Sequence, residues 1–161
     1  MSFIKDIKLL IVILMGSFLM GCSQTTNTSA QNFGNISFMN SGSPEAQLAF
    51  LTGVKALHSF QFDGARIAFE EAQTIDPTFA MAYWGQAMSD NHPLWAQQDK
   101  AAAEKALHRL APTFEERLAK SGSDKEKAYM TAIEALYFSS EDKLQRDFAY
   151  SSALSRMHER W

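Results

Sequence analysis

One cysteine and four histidines carry most of the chemistry that this 161-residue chain could do. Cys22 is the lone thiol, so no intramolecular disulfide can form. The histidines are His58, His92, His108 and His158. His58 and His92 stand 34 residues apart, with Asp63, Asp90 and Asn91 close to them in sequence. In one reading, two imidazoles and a carboxylate bind zinc or a similar ion. In the other, each imidazole lies at the end of a helix, where a partial positive charge suits the C-terminal dipole. The second reading is the commoner use of such residues, so no metal is assigned. The sequence holds no nucleophile elbow, Gly-rich phosphate loop, His-Glu-x-x-His helix or EF-hand loop, and no catalytic residue is assigned.

The residues before Cys22 bear on what that thiol does. Lys5 and Lys8 precede an apolar run from Leu9 to Met15, and Gly16 to Gly21 lead on to the cysteine. Charge, length and order are those of a secretory signal, too short for a stable membrane span. Leu19-Met20-Gly21-Cys22 resembles the lipobox of bacterial lipoproteins, an aliphatic residue, a small residue, Gly or Ala, then Cys; Met20 is bulkier than the usual second residue. The resemblance implies a signal peptide over 1–21, cleavage before Cys22, and covalent lipid on that sulfur, with no other cofactor. Several acyl chains at about 0.8 kcal/mol per buried methylene would anchor the chain durably to a lipid membrane. Ser23 is not Asp, which by the sorting rule of Gram-negative lipoproteins favours the outer membrane. Residues 22–42, rich in Ser, Thr, Asn, Gln and Gly, read as a flexible tether.

Charge narrows the partners. Of 15 basic and 18 acidic side chains, the first 21 residues hold Lys5, Lys8 and Asp6, which leaves 13 and 17, a balance of −4. Nucleic acid is excluded, because it calls for a concentrated positive face. The hydrophobic fraction of 46% is that of a globular chain.

The elements that must position any site are helices. Ser43-Pro44 predicts an N-cap and a first turn. Leu48, Leu51, Val54, Leu57 and Phe60 form one apolar stripe, and Ala65, Ala68, Phe69, Ala72 and Ile75 a second, with a break at Asp63-Gly64. Asp76-Pro77 ends the second helix, since Pro disfavours helix in the residue before it. A third helix is predicted over 78–90, stopping at Asn91-His92-Pro93, and a fourth over 100–110. Thr113 with Glu116 and Ser123 with Glu126 have capping-box spacing. The last helices are predicted over 124–138 and 141–160, with a mixed-charge, solvated face around 99–127. No segment shows sustained two-residue alternation. The expected domain, 43–161, is all-α, built of antiparallel helical hairpins.

Gly53, Ala65, Phe69, Ala72 and Pro77 follow one another at intervals of 12, 4, 3 and 5 residues. This resembles the tetratricopeptide repeat, a 34-residue helical hairpin with small, small, aromatic, small and Pro at those positions. The likeness covers 46–79 and runs on to Tyr83 and Ala87; Asn91 to Trp95 interrupt a second unit. The resemblance implies a short α-solenoid in which small Gly53 and Ala65 let helices approach and Phe69 fills the space between units. It also implies a concave groove for a protein or peptide, lined by Phe50, Val54, His58, Trp84, Met88 and His92. Helical pattern runs to Trp161, which suggests a longer parent protein. The expectation is a membrane-anchored, non-catalytic scaffold for an unidentified protein or peptide. The alternatives are a metal- or small-ligand-binding domain using His58 and His92, or the N-terminal part of a longer enzyme.

Overall fold

A computed structural model describes residues 34–161, so the expected signal peptide, Cys22 and the tether as far as residue 33 lie outside the described residues. Seven α-helices follow in order: α1 Gln47–His58, α2 Phe62–Ile75, α3 Ala80–Ser89, α4 Lys100–Leu110, α5 Phe114–Ala119, α6 Asp124–Phe138 and α7 Lys143–Arg160. Two-residue strands β1 (Asn91–His92) and β2 (Gln97–Gln98) pair antiparallel between α3 and α4. Sequential helices pack against one another as an all-α stack, and α6 returns to pack on α3. No helix among the described residues is long and apolar enough to cross a membrane.

α3 is the centre of the stack. Every residue from Ala80 to Ala87 is buried, as expected of a helix that is apolar or small all round. α1, α2, α4 and α6 surround it. The α1–α2–α3 packing turns on Phe69, which is fully buried. A β-carbon added at Gly53 of α1 would stand 2.8 Å from its ring, and one at Gly85 of α3 only 2.3 Å away. Ala65 and Ala72 are fully buried beside it, and Pro77 follows the end of α2. Two glycines therefore clear the space that one phenyl ring fills.

The polar interior is tied together by side chains. Gln73 Nε2 donates to Gln86 Oε1 (2.8 Å), and Gln86 Nε2 donates to Glu70 Oε1 (2.8 Å). An Arg109 nitrogen donates to both Gln73 Oε1 and Gln86 Oε1 at 2.7 Å, joining α2, α3 and α4. Tyr137 Oη of α6 donates to the Ala87 carbonyl of α3 (2.7 Å). Arg146, 4% exposed, donates to the carbonyls of Leu136, Ser140 and Glu141 at the end of α6, and to Gln98 Oε1 of β2. A cation at a helix C-terminus gains from the dipole as well as from the bonds.

Several expected details differ. Ser43 makes no side-chain cap; its N–H donates to Asp76 Oδ2 (2.9 Å), where hydrogen bonds from Ser43 and Thr78 outweigh burial and hold the Asp76 carboxyl below its usual range. The first break falls at Ser59-Phe60-Gln61, and Asp63 and Gly64 belong to α2. Gln61 N–H donates to Ala56 O (2.9 Å) and Phe60 N–H to Leu57 O (3.2 Å), a Schellman turn with Phe60 at φ 58° where glycine is usual. Leu48, Phe60 and Ile75 are exposed, not buried stripe residues. Three-residue steps fall about 60° short of a full turn each, so such a stripe drifts around the helix. The core face of α1 is Ala49, Phe50, Gly53, Val54 and Ala56. The 99–127 stretch is not uniformly solvated either, since Arg117 and Glu126 are buried.

Both capping boxes form, at Thr113 with Glu116 and at Ser123 with Glu126. Glu126 also reaches beyond its own helix, because its other oxygen accepts the N–H of Ser41 (2.6 Å). Residues 38–42, read from composition as tether, lie against the helices. Phe38 meets Phe50 and Tyr129 with ring centroids 5.4 and 5.6 Å apart, and Gly42 packs on the Phe79 ring.

Candidate functional site

An apolar groove of about 680 Å³ runs between α1, α3, α6 and α7. α1 contributes Val54, Leu57 and His58; α3 contributes Trp84 and Met88; α6 and α7 contribute Tyr129 and Tyr150. The α1–α2 turn adds Phe60 at one rim, and residues 36–38 form part of the wall. Among the described residues no carboxylate lines the groove, whereas Lys55 and His58 do.

Four of the six expected groove residues, Val54, His58, Trp84 and Met88, share this surface. The i, i+4 spacing of Val54 and His58 on α1, and of Trp84 and Met88 on α3, puts each pair on one helix face. Phe50 does not belong to it. Phe50 is fully buried, held by Phe69 and Phe79 with centroids at 5.8 and 4.8 Å. His92 does not belong either. The β1–β2 ribbon carries it away, and it lines a separate cavity of about 620 Å³ with Asp63, Arg66, Asp90, Gln98 and Asp99.

The two histidines bear the geometry of helix-end groups. His58 Nδ1 donates to Val54 O (2.8 Å), four residues back in α1. His92 Nε2 donates to Ser89 O (2.9 Å), the last residue of α3, and its ring stacks on Phe62 at 3.9 Å. They line different cavities, and among the described residues no group of three or more His, Cys, Asp and Glu side chains is placed to hold a metal ion.

The remaining groove residues carry no distinguishing signal in the sequence. Tyr150 Oη donates to Met88 Sδ (3.6 Å), and burial pushes its phenol up to about 12. Trp84 is 6% exposed, and its indole ring meets Tyr129 at 5.2 Å and Phe38 at 6.2 Å. Its Nε1–H is buried with no hydrogen-bond partner among the described residues. Trp95 packs edge-on to Phe60 and Phe62 outside the groove and is half exposed.

In the second cavity Asp90 is the perturbed group. Burial and the neighbouring Asp99 push its carboxyl up to about 6, against the partial relief of Arg66 and His92.

No family model, curated protein or solved structure matches the chain.

Proposed function

We propose that this chain is an envelope lipoprotein, anchored through lipid on Cys22, whose tetratricopeptide-like helical stack binds a protein or peptide segment without catalysing a reaction. The observation that carries the binding reading is the α1–α3–α6–α7 groove. It is apolar, open, rimmed by aromatic rings and free of carboxylates among its lining residues. Concave apolar surfaces with a few placed polar groups are the usual form of a binding site. Tyrosine and tryptophan supply contact area at small entropic cost, and methionine adapts its shape to an apolar partner, which suits recognition better than group transfer. The anchoring reading rests on the lipobox-like 19–22 sequence and the short apolar run before it. Outer-membrane residence follows from Ser23 under the sorting rule.

Selection of a random peptide library on the full chain in detergent tests the groove. Enriched peptides should bind at least about tenfold more weakly to Met88→Arg and Leu57→Arg chains of unchanged helicity, a loss of roughly 1.4 kcal/mol or more. Peptides indifferent to both variants would sink the groove as the binding surface. For the anchor, metabolic labelling with a radioactive fatty acid in a Gram-negative host should mark the wild type and leave Cys22→Ala unlabelled.

A further inference from the structure

Ile36-Ser37-Phe38 lies along the wall of the groove, where a bound peptide would lie. From residue 40 onward the backbone is pinned. Asn40 and Gln47 exchange side-chain hydrogen bonds (2.9 and 2.8 Å), Ser41 N–H reaches Glu126 and Ser43 N–H reaches Asp76. Before residue 40 the segment is held by the Phe38 ring and by side-chain hydrogen bonds from Asn40 Nδ2 to Phe38 O (2.8 Å) and from Lys55 Nζ to Gly34 O (3.3 Å). Ile36 is 39% exposed and Met39 91%, while Phe38 sits among Phe50, Trp84 and Tyr129. The gain from one partly buried phenyl ring is set against ordering the residues around it, and these are terms of the same size.

Trp84 supplies the second observation. A buried N–H without an acceptor is rare and costs stability, because water would have satisfied it. The segment on the groove wall packs the Phe38 ring against the indole but leaves its donor unmet among the described residues. An occupant that placed a carbonyl there would be preferred on that account.

We infer that residues 36–38 are a displaceable strap on one wall of the groove, covering the Phe50, Trp84 and Tyr129 rings that a ligand would take. The ligand is an extended peptide with an aromatic side chain for the Phe38 position and a backbone carbonyl for Trp84 Nε1–H. Lys55 and His58 at the groove favour neutral or acidic flanks on that peptide. The inference rests on the groove being a peptide site and adds that the chain itself competes for it. Partner binding then requires the strap to leave, and its pinned end at 40–43 lets it do so without unfolding the helices.

The test uses a capped synthetic peptide of this chain's own sequence 34–40, Gly-Asn-Ile-Ser-Phe-Met-Asn, added to the full chain. It should bind a Phe38→Ala chain at least about tenfold more tightly than the wild type, and a peptide with Ala for Phe should bind neither. Trp84→Phe in the Phe38→Ala background should leave binding of this peptide about unchanged, because its sequence does not meet the indole N–H in the folded chain. Equal affinity for the wild-type and Phe38→Ala chains overturns the strap and leaves the groove reading standing. No binding by a helical Phe38→Ala chain also overturns the strap, and the library selection then judges the groove separately. Should Phe38→Ala fail to fold, hydrogen exchange on the wild-type chain decides. Amides 36–39 exchanging well before those of α3 support the strap; exchange only with global unfolding makes the segment part of the core and overturns it.

Discussion

Replacing Gly85 with alanine tests the packing centre of the stack. A helical glycine normally gains about 1 kcal/mol on becoming alanine, because the unfolded chain loses freedom. At Gly85 the new methyl carbon would stand 2.3, 2.4 and 2.5 Å from three carbons of the Phe69 ring. Real β-carbons stay beyond about 3 Å, so the ring must move by most of an ångström. Phe69 is fully buried and has Gly53 against it as well, with only 2.8 Å to a β-carbon there. The ring therefore has little room to retreat. Overpacking of this kind costs typically about 1–3 kcal/mol, and the upper part of that range applies where the obstacle is a trapped ring. Net of the propensity gain, Gly85→Ala should lose about 1–2 kcal/mol. Gly64→Ala is the matched control, because its nearest neighbour is Gln61 Oε1 at 4.0 Å, and it should be neutral or gain up to about 1 kcal/mol. Urea unfolding followed by circular dichroism reads both, and the m-values should not change. Adding Phe69→Leu to Gly85→Ala should recover part of the loss beyond additivity, since the two sites touch. A Gly85→Ala chain as stable as Gly64→Ala would refute the claim that α3 meets α1 and α2 across that ring.

Three further outcomes are expected. Arg117, 2% exposed, donates to both Glu134 oxygens (2.7 and 2.9 Å) and to Ala111 O (2.8 Å); Arg117→Ala leaves the Glu134 carboxyl unpaired and should cost about 3–5 kcal/mol at pH 7. Burial already raises the Glu134 carboxyl, so that loss should shrink as the pH is lowered and the lone acid protonates; a loss that does not change with pH would contradict the ion-pair account. Asp90, at about 6 when folded against 3.8 unfolded, takes up a proton on folding between those values, so stability falls as pH rises through that window. The full shift corresponds to roughly 3 kcal/mol, discounted to about 1 kcal/mol for a half-exposed group, so Asp90→Asn should raise the unfolding midpoint at pH 7.5 and not at pH 4. Tyr137→Phe removes the hydrogen bond that α6 donates to the Ala87 carbonyl of α3 and should cost about 1–2 kcal/mol in the same urea assay.

Helix content and most helix ends were legible because they depend on local chemistry. Pro44, Asp76-Pro77, Thr113 with Glu116 and Ser123 with Glu126 act within four residues of themselves, and each marks a boundary in the structure. What the sequence hid was long-range. Nothing local distinguishes Arg117 from its solvated neighbours, since its burial depends on Glu134 arriving from α6 and Phe138 covering the guanidinium at 5.1 Å. The α1–α2 turn was hidden for a different reason. Phe60 takes a left-handed conformation that its side chain disfavours by about 1–2 kcal/mol, so residue type pointed to the glycine at 64 instead.

The groove divides in the same way. Val54 with His58 and Trp84 with Met88 are pairs four residues apart on two neighbouring helices, and helical geometry alone brings each pair to one face. His92 stood one repeat length beyond His58, but repeat arithmetic assumes continuous helix. The β1–β2 ribbon breaks that assumption and turns the imidazole onto Phe62. Phe38 shows the opposite failure. It lies in a stretch whose average composition reads as tether, yet packing is decided ring by ring and not by averages. One aromatic side chain, followed by Asn40 and Ser41 with partners at Gln47 and Glu126, is enough to bring that stretch onto the helices. The sequence signal for it was a phenylalanine flanked by Ile36 and Met39 just ahead of a helix start. Such a residue has either a surface to cover or a partner to meet, and in this fold the surface it covers is the groove.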